Sequence, residues 1–197
     1  MISKEEIEEL KKVEGNVRGD VIKSNASFIQ RKEGKEGLKA LEKKMAELGY
    51  HLNFDKIDPE KWYPVSLSAL MIVITKDLFN WSEKDIFKMG NSAPKFSFLA
   101  KYVLKYFLSL KRFAKEVPKY WRHHFDFGEL EVSELNEGKR YLILREKGYK
   151  THPLICIYHA GYYLGVAQFI IKSQKIEIKE IKCVFKGDPY HEYLITW

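Results

Sequence analysis

The spacing of apolar residues changes character about two thirds of the way along the chain. Before Phe127 it is helical. Ile7, Leu10 and Val13 fall on one face of a helix over 3–13, and Ser3 followed by Glu6 makes a capping box. Gly15 and Gly19 break the pattern. A short helix is predicted over 20–31 with Asp20 at its N-cap, and Gly34 and Gly37 interrupt it. Leu38, Leu41, Met45 and Leu48 predict another helix over 36–48, closed by Gly49. From Ser66 to Phe79 only Lys76 and Asp77 are charged, which predicts a helix buried on all sides. Ser82 and Asp85 open a short helix ending near Gly90. Pro94, after Ser92, starts a long helix reaching about Val117, where Pro118 disfavours continuation.

After Phe127 the period drops to two. Residues 129–135 and 140–146 alternate around the turn signal Asn136-Glu137-Gly138, which predicts a β-hairpin. Thr151 and Pro153 start a helix to about Ile171. Strands follow over 175–186 and 190–197, joined at Gly187-Asp188-Pro189. Ile181, Cys183 and Phe185 are expected on one face, and His191, Tyr193, Ile195 and Trp197 on one face of the last strand. The fold class read from this pattern is α+β: a helical part (1–127), then a β-β-α-β-β unit (128–197) with an antiparallel sheet, together one domain over 1–197.

Composition narrows the function. The chain has 197 residues, 45% of them hydrophobic, as expected of a globular core. Most of the net charge of +7 falls within 101–127, where Lys101, Lys105, Arg112, Lys115, Lys119 and Arg122 form a helical stripe. A solvated helix face is the simpler reading and a docking stripe for nucleic acid or anionic lipid the sharper one. No nucleic-acid module accompanies the stripe, so nucleic acid is not expected as a partner. Two cysteines form no disulfide framework, and no apolar run approaches about 18 residues. The Met1 end is charged, unlike a signal peptide. The expected location is cytoplasmic, without membrane insertion. Few Asn and Gln beside many Lys, Glu and Ile resemble a thermophile's composition. No nucleophile elbow, phosphate loop, dinucleotide fingerprint or His-Glu-x-x-His occurs, so catalysis has no support here.

Two groups of residues carry candidate chemistry. His152, Cys156 and His159 share one face of the predicted helix, and Cys183 or His191 on the adjoining strands could complete a tetrahedral site, with zinc as the fitting metal. The simpler alternative is a helix start, a small core thiol and polar trim. Aromatics make up 14% of the chain. Phe98, Tyr102, Tyr106, Tyr158 and Tyr162 are candidate lining for a pocket between the helical part and the sheet unit, suited to an apolar ligand with a few polar handles. Gly161 and Gly165 are expected to let their helix approach the sheet closely.

The C-terminal third reads His152-Pro153, Cys156 through Gly165 with Gly161-x-x-x-Gly165, Glu180-Ile181-Lys182-Cys183, and Lys186-Gly187-Asp188-Pro189. This order and spacing resembles the 4-vinyl reductase (vinyl-4-reductase) type of small-molecule-binding domain, which shares its fold with haem nitric-oxide-binding domains and with subunits of a Golgi tethering complex (TRAPP-type). The resemblance is sharp over about 150–197. It implies a non-catalytic binding or sensing role for an apolar or tetrapyrrole-like ligand. The alternatives are a homodimeric interaction module or, with less support, an enzyme of tetrapyrrole or hydrocarbon metabolism. Where that family has its last cysteine, this chain has His191, which pairs with Cys183 as a plausible metal-ligand set. Haem-binding relatives use a His on the long helix before the hairpin, and none occurs between 94 and 117. Their Tyr-x-Ser-x-Arg becomes Tyr141-Leu142-Ile143-Leu144-Arg145, without the Ser. Haem is therefore not expected.

Overall fold

A computed structural model describes residues 2–97 and 109–197. The candidates Phe98, Tyr102 and Tyr106, with Lys101 and Lys105 of the basic stripe, lie outside the described residues. The described elements are α1 (Lys4–Lys11), β1 (Asn16–Arg18), α2 (Gly19–Glu47), β2 (Trp62–Pro64), α3 (Val65–Leu78), α4 (Glu83–Phe96), α5 (Leu110–His124), β3 (Glu129–Asn136), β4 (Tyr141–Lys147), α6 (Pro153–Ile170), β5 (Glu177–Lys182) and β6 (His191–Thr196). No helix among the described residues is long and apolar enough to cross a membrane.

Local signals hold where side chains and backbone satisfy one another within a few residues. Ser3 caps α1: its Oγ accepts from the Glu6 N–H (3.1 Å), and the Glu6 carboxylate accepts from the Ser3 N–H (3.4 Å). Ser82 and Asp85 form the same box at α4, where Asp85 also pairs with Lys32 on α2 (2.6 Å). Lys32 and these bonds hold the Asp85 carboxyl well below its ordinary range. Asp85→Asn is therefore expected to cost about 1–2 kcal/mol at neutral pH, read by urea unfolding. A depressed native pKa stabilises above the unfolded value and is lost as pH falls through the native one, so the deficit should shrink below pH 3.8.

Several expected boundaries change. The helices expected over 20–31 and 36–48 are one helix, α2, bent at Gly34, whose φ of 76° is open to glycine at little cost. Asp20 is not its N-cap. Arg18 is, and the Gly19 and Asp20 N–H groups donate to the Lys61 and Pro59 carbonyls (2.9 and 3.0 Å), so no side-chain cap is needed. Asp20 is instead buried and accepts from the Ser97 hydroxyl. β1 pairs antiparallel with β2; three-residue strands show no alternation to read. Pro94 lies inside α4 rather than opening the next helix, and Pro118 lies inside α5, which continues to His124. Burial of Phe113, Val117, Tyr120 and Trp121 on one face of α5 outweighs the roughly 3 kcal/mol cost of an interior proline.

The four-stranded antiparallel sheet has the order β3-β4-β6-β5. Leu142, Leu144 and Glu146 of β4 face the buried side, as do His191, Tyr193 and Ile195 of β6. Helix α6 lies between this sheet and α4. The Gly161-x-x-x-Gly165 face is turned to α4, not to the sheet: a Cβ on Gly161 would fall 2.0 Å from the Phe87 carbonyl oxygen, and one on Gly90 2.0 Å from that of Tyr158. Ile181 and Cys183 do not share a face. A register shift between Glu180 and Lys182 turns Cys183 inward and leaves Ile181 41% exposed.

Candidate metal centre and aromatic cavity

Cys156 sits in the first turns of α6, which starts cleanly because Pro153 occupies its first position and the His152 Nδ1 accepts from the Leu154 N–H (3.1 Å). Opposite it, β5 carries Glu180, the shift in register delivers Cys183, and β6 begins at His191. The tight turn between the two strands is held by the Asp188 carboxylate, which accepts from the Cys183 N–H (2.8 Å). Together these elements bring one ligand atom each from Cys156, Glu180, Cys183 and His191 within 4.8 Å of one another.

Three of the six spacings are close to those of a tetrahedral ion. The two Sγ atoms are 3.9 Å apart, Cys156 Sγ lies 3.8 Å from His191 Nδ1, and that nitrogen lies 3.2 Å from Glu180 Oε1. Bonds of about 2.3 Å to sulfur and about 2.0–2.2 Å to nitrogen and oxygen require tetrahedral edges of about 3.8, 3.6 and 3.4 Å. The His191 Nε2–H donates to the Tyr149 carbonyl (3.1 Å), which turns the Nδ1 lone pair to the site, as outer partners of metal-bound imidazoles do. Burial pushes the Cys156 thiol up. Burial is the largest single influence and works against the charged forms of both Glu180 and His191, but their mutual hydrogen bond, the Cys183 contact to Glu180, the Tyr149 carbonyl and nearby charges together outweigh it, leaving Glu180 below and His191 above their ordinary values.

Of the sequence candidates, Cys156, Cys183 and His191 converge and His159 does not. His159 lies on the flank of α6 facing β4, where its Nδ1–H donates to Glu146 Oε2 (3.0 Å). His152 is spent on the helix cap and on Glu6 of α1 (2.6 Å). Glu180 is the candidate ligand that helix-face reasoning missed, although the Glu-x-x-Cys spacing contained it.

A second feature lies on the other side of α6. Tyr120, Trp121 and His124 of α5, with Tyr158, His159 and Tyr162 of α6, line a cavity of about 30 Å³. Tyr158 and Tyr162 are thus at a pocket. Their hydroxyls are already used: Tyr158 donates to Asn25 Oδ1 (2.7 Å), and Tyr162 pairs with Tyr120. Burial raises both phenol pKa values. His124 is 3% exposed. Its Nδ1–H donates to the Tyr120 carbonyl (3.0 Å), and its Nε2 is buried with no partner among the described residues. Burial lowers its pKa, so the ring is neutral.

Glu146, 1% exposed, accepts at Oε2 from both His159 and Tyr163 (3.0 and 2.8 Å). Glu146→Leu strands both donors, and urea unfolding is expected to show a loss of about 2–4 kcal/mol.

No protein-family model matches the chain, and no curated protein matches it. Solved structures do. An H-NOX protein from S. oneidensis in the Fe(II)NO ligation state aligns with a TM-score of 0.67 at 15% identity, over 90% of this chain and 97% of that one. An oxygen-binding H-NOX domain related to soluble guanylate cyclases aligns with a TM-score of 0.61 at 11% identity, over 91% and 94%. The fold is therefore H-NOX-like.

Proposed function

We propose that this chain is a haem-free small-molecule-sensing domain built on the H-NOX-like fold, with a zinc ion bracing its C-terminal sheet unit. The observation that carries the reading is the aromatic cavity at the junction of α5 and α6. Ligand sites commonly form where two packed layers meet, with a mostly apolar wall and few polar groups. An apolar ligand seated there touches both the helical part and the α6–sheet unit, so its binding energy can bias how the two pack. The vinyl-4-reductase-like spacing of Cys156, Glu180 and Cys183 supports the same assignment.

The haem of the solved neighbours does not suit the residues present. The cavity's roughly 30 Å³ admits a ligand of a few non-hydrogen atoms and not a haem. Ile143 stands where haem-binding relatives have Ser. Arg145 is engaged by Glu192 (2.7 Å) and Glu131 (3.5 Å), and Tyr141 by Glu134. All three positions lie on the sheet face opposite Leu142, Leu144 and Glu146. Expression with added haem precursor, followed by absorption spectroscopy and native mass spectrometry, tests the reading. The expected result is no Soret band and a co-purifying small molecule; stoichiometric haem, or a protein that binds no small molecule, overturns it.

A further inference from the structure

The two histidines of the cavity share an arrangement that neither the fold nor the metal centre requires. Each has its Nδ1 committed, His124 to a backbone carbonyl and His159 to the Glu146 carboxylate. His124, kept neutral by burial, therefore carries its remaining lone pair on Nε2, a buried atom with no hydrogen-bond partner among the described residues. Both rings line the same cavity. The other polar groups around it are occupied: Tyr120 with Tyr162, Tyr158 with Asn25, Tyr163 with Glu146, and the Trp121 indole N–H with the Phe127 carbonyl (2.8 Å). What remains among the described residues is a mostly apolar wall in which His124 Nε2 is the unmatched acceptor.

We infer that His124 Nε2 accepts a hydrogen bond from a small neutral ligand bearing a hydroxyl or amino hydrogen, held against His159 in the cavity between α5 and α6. The inference rests on the sensing role proposed above and names the ligand's chemistry. Anions are disfavoured because the unmatched group is itself an acceptor, and a buried acceptor left unmatched is costly. Donor-free hydrocarbons would leave His124 Nε2 as it is, an orphan. The cavity's volume limits the occupant to a few non-hydrogen atoms unless the aromatic wall moves.

The test uses the full chain labelled with ¹⁵N, following the imidazole Nε2 resonances of His124 and His159 during titration with methanol, ethanol and 1-propanol. Dimethyl ether, similar in size but without a donor hydrogen, is the control. At least one alcohol should give a saturable shift of both resonances, the ether should give none, and His124→Asn should weaken alcohol binding about tenfold. The inference is overturned if no alcohol saturates, if the ether acts like the alcohols, or if a buried water holds His124 Nε2 and no alcohol displaces it. The wild-type comparison of alcohol with ether stands even if the variant fails to fold. A co-purifying molecule whose binding is indifferent to the substitution would sink this inference and leave the sensing role intact, whereas haem uptake would sink the sensing role itself.

Discussion

One zinc ion per chain is expected to accompany the purified protein, and stripping it with a chelator is expected to lower Tm by about 10 °C. The argument begins with what the site costs when no ion holds it. Two thiols, an imidazole and a carboxylate are gathered within 4.8 Å, three of them buried. Deprotonated, these groups would repel and lack solvation; a divalent cation converts that liability into four short bonds. The ion would also tie α6 to β5 and β6, adding to the side-chain packing already between them, such as Tyr163 on Tyr193. Loss of about 3–5 kcal/mol in a chain of this length corresponds to roughly 7–12 °C. Cys156→Ser and Cys183→Ser should abolish stoichiometric zinc, and His191→Ala should do so as well. Glu180→Gln should weaken binding while leaving some metal, since an amide oxygen is a poorer ligand than a carboxylate. Elemental analysis with calorimetry reads both quantities. Metal-free protein whose Tm ignores the chelator would show that the cysteines serve only as packing.

The second large effect is expected at Gly161. Gly161→Ala places a methyl group where the Phe87 carbonyl oxygen of α4 already lies, 2.0 Å from the new Cβ. That atom is backbone in the middle of a helix, so it cannot swing away; α4 and α6 must separate. Separation loosens the contact that Gly90 and Gly165 make along the same line, where a Cβ would meet backbone oxygens at 2.0 and 2.5 Å. Overpacking of this kind costs ~3 kcal/mol, and the rigidity of the contact places it at or above that figure. Chemical denaturation should therefore show a lower midpoint with an unchanged slope. Gly187→Ala makes the useful contrast. No atom lies within 4 Å of its Cβ, so its penalty comes only from the positive φ of 95°, about 1 kcal/mol.

The basic stripe shows how local pattern and tertiary context divide the work. Phe113 and Val117 of α5 are buried and Arg112, Lys115, Lys119 and Arg122 exposed, as helical periodicity implies. Lys119 lies 3.4 Å from Glu116 and Arg122 3.9 Å from Glu129. These are surface pairs of the kind worth less than about 1 kcal/mol.

The helix starts at Ser3 and Ser82, the buried run of α3, the hairpin and the helix start at Pro153 were legible from residues alone, because each is settled by bonds and periodicities spanning fewer than about ten positions. Motif spacing likewise pointed to Cys156, Cys183 and His191. Three further features were decided only by the tertiary structure. Helices α2 and α5 run through Gly34 and Pro118 because packing elsewhere outweighs a local break. Glu180 and Cys183 reach one site because a register shift turns Cys183 inward, which no alternating pattern displays. His124, beyond a proline and absent from every motif, became a candidate because folding buried its ring and left one nitrogen facing a cavity. Local bonds form the same way in any context, whereas ligand sites depend on which distant groups share one small volume, and that is set by how the layers pack.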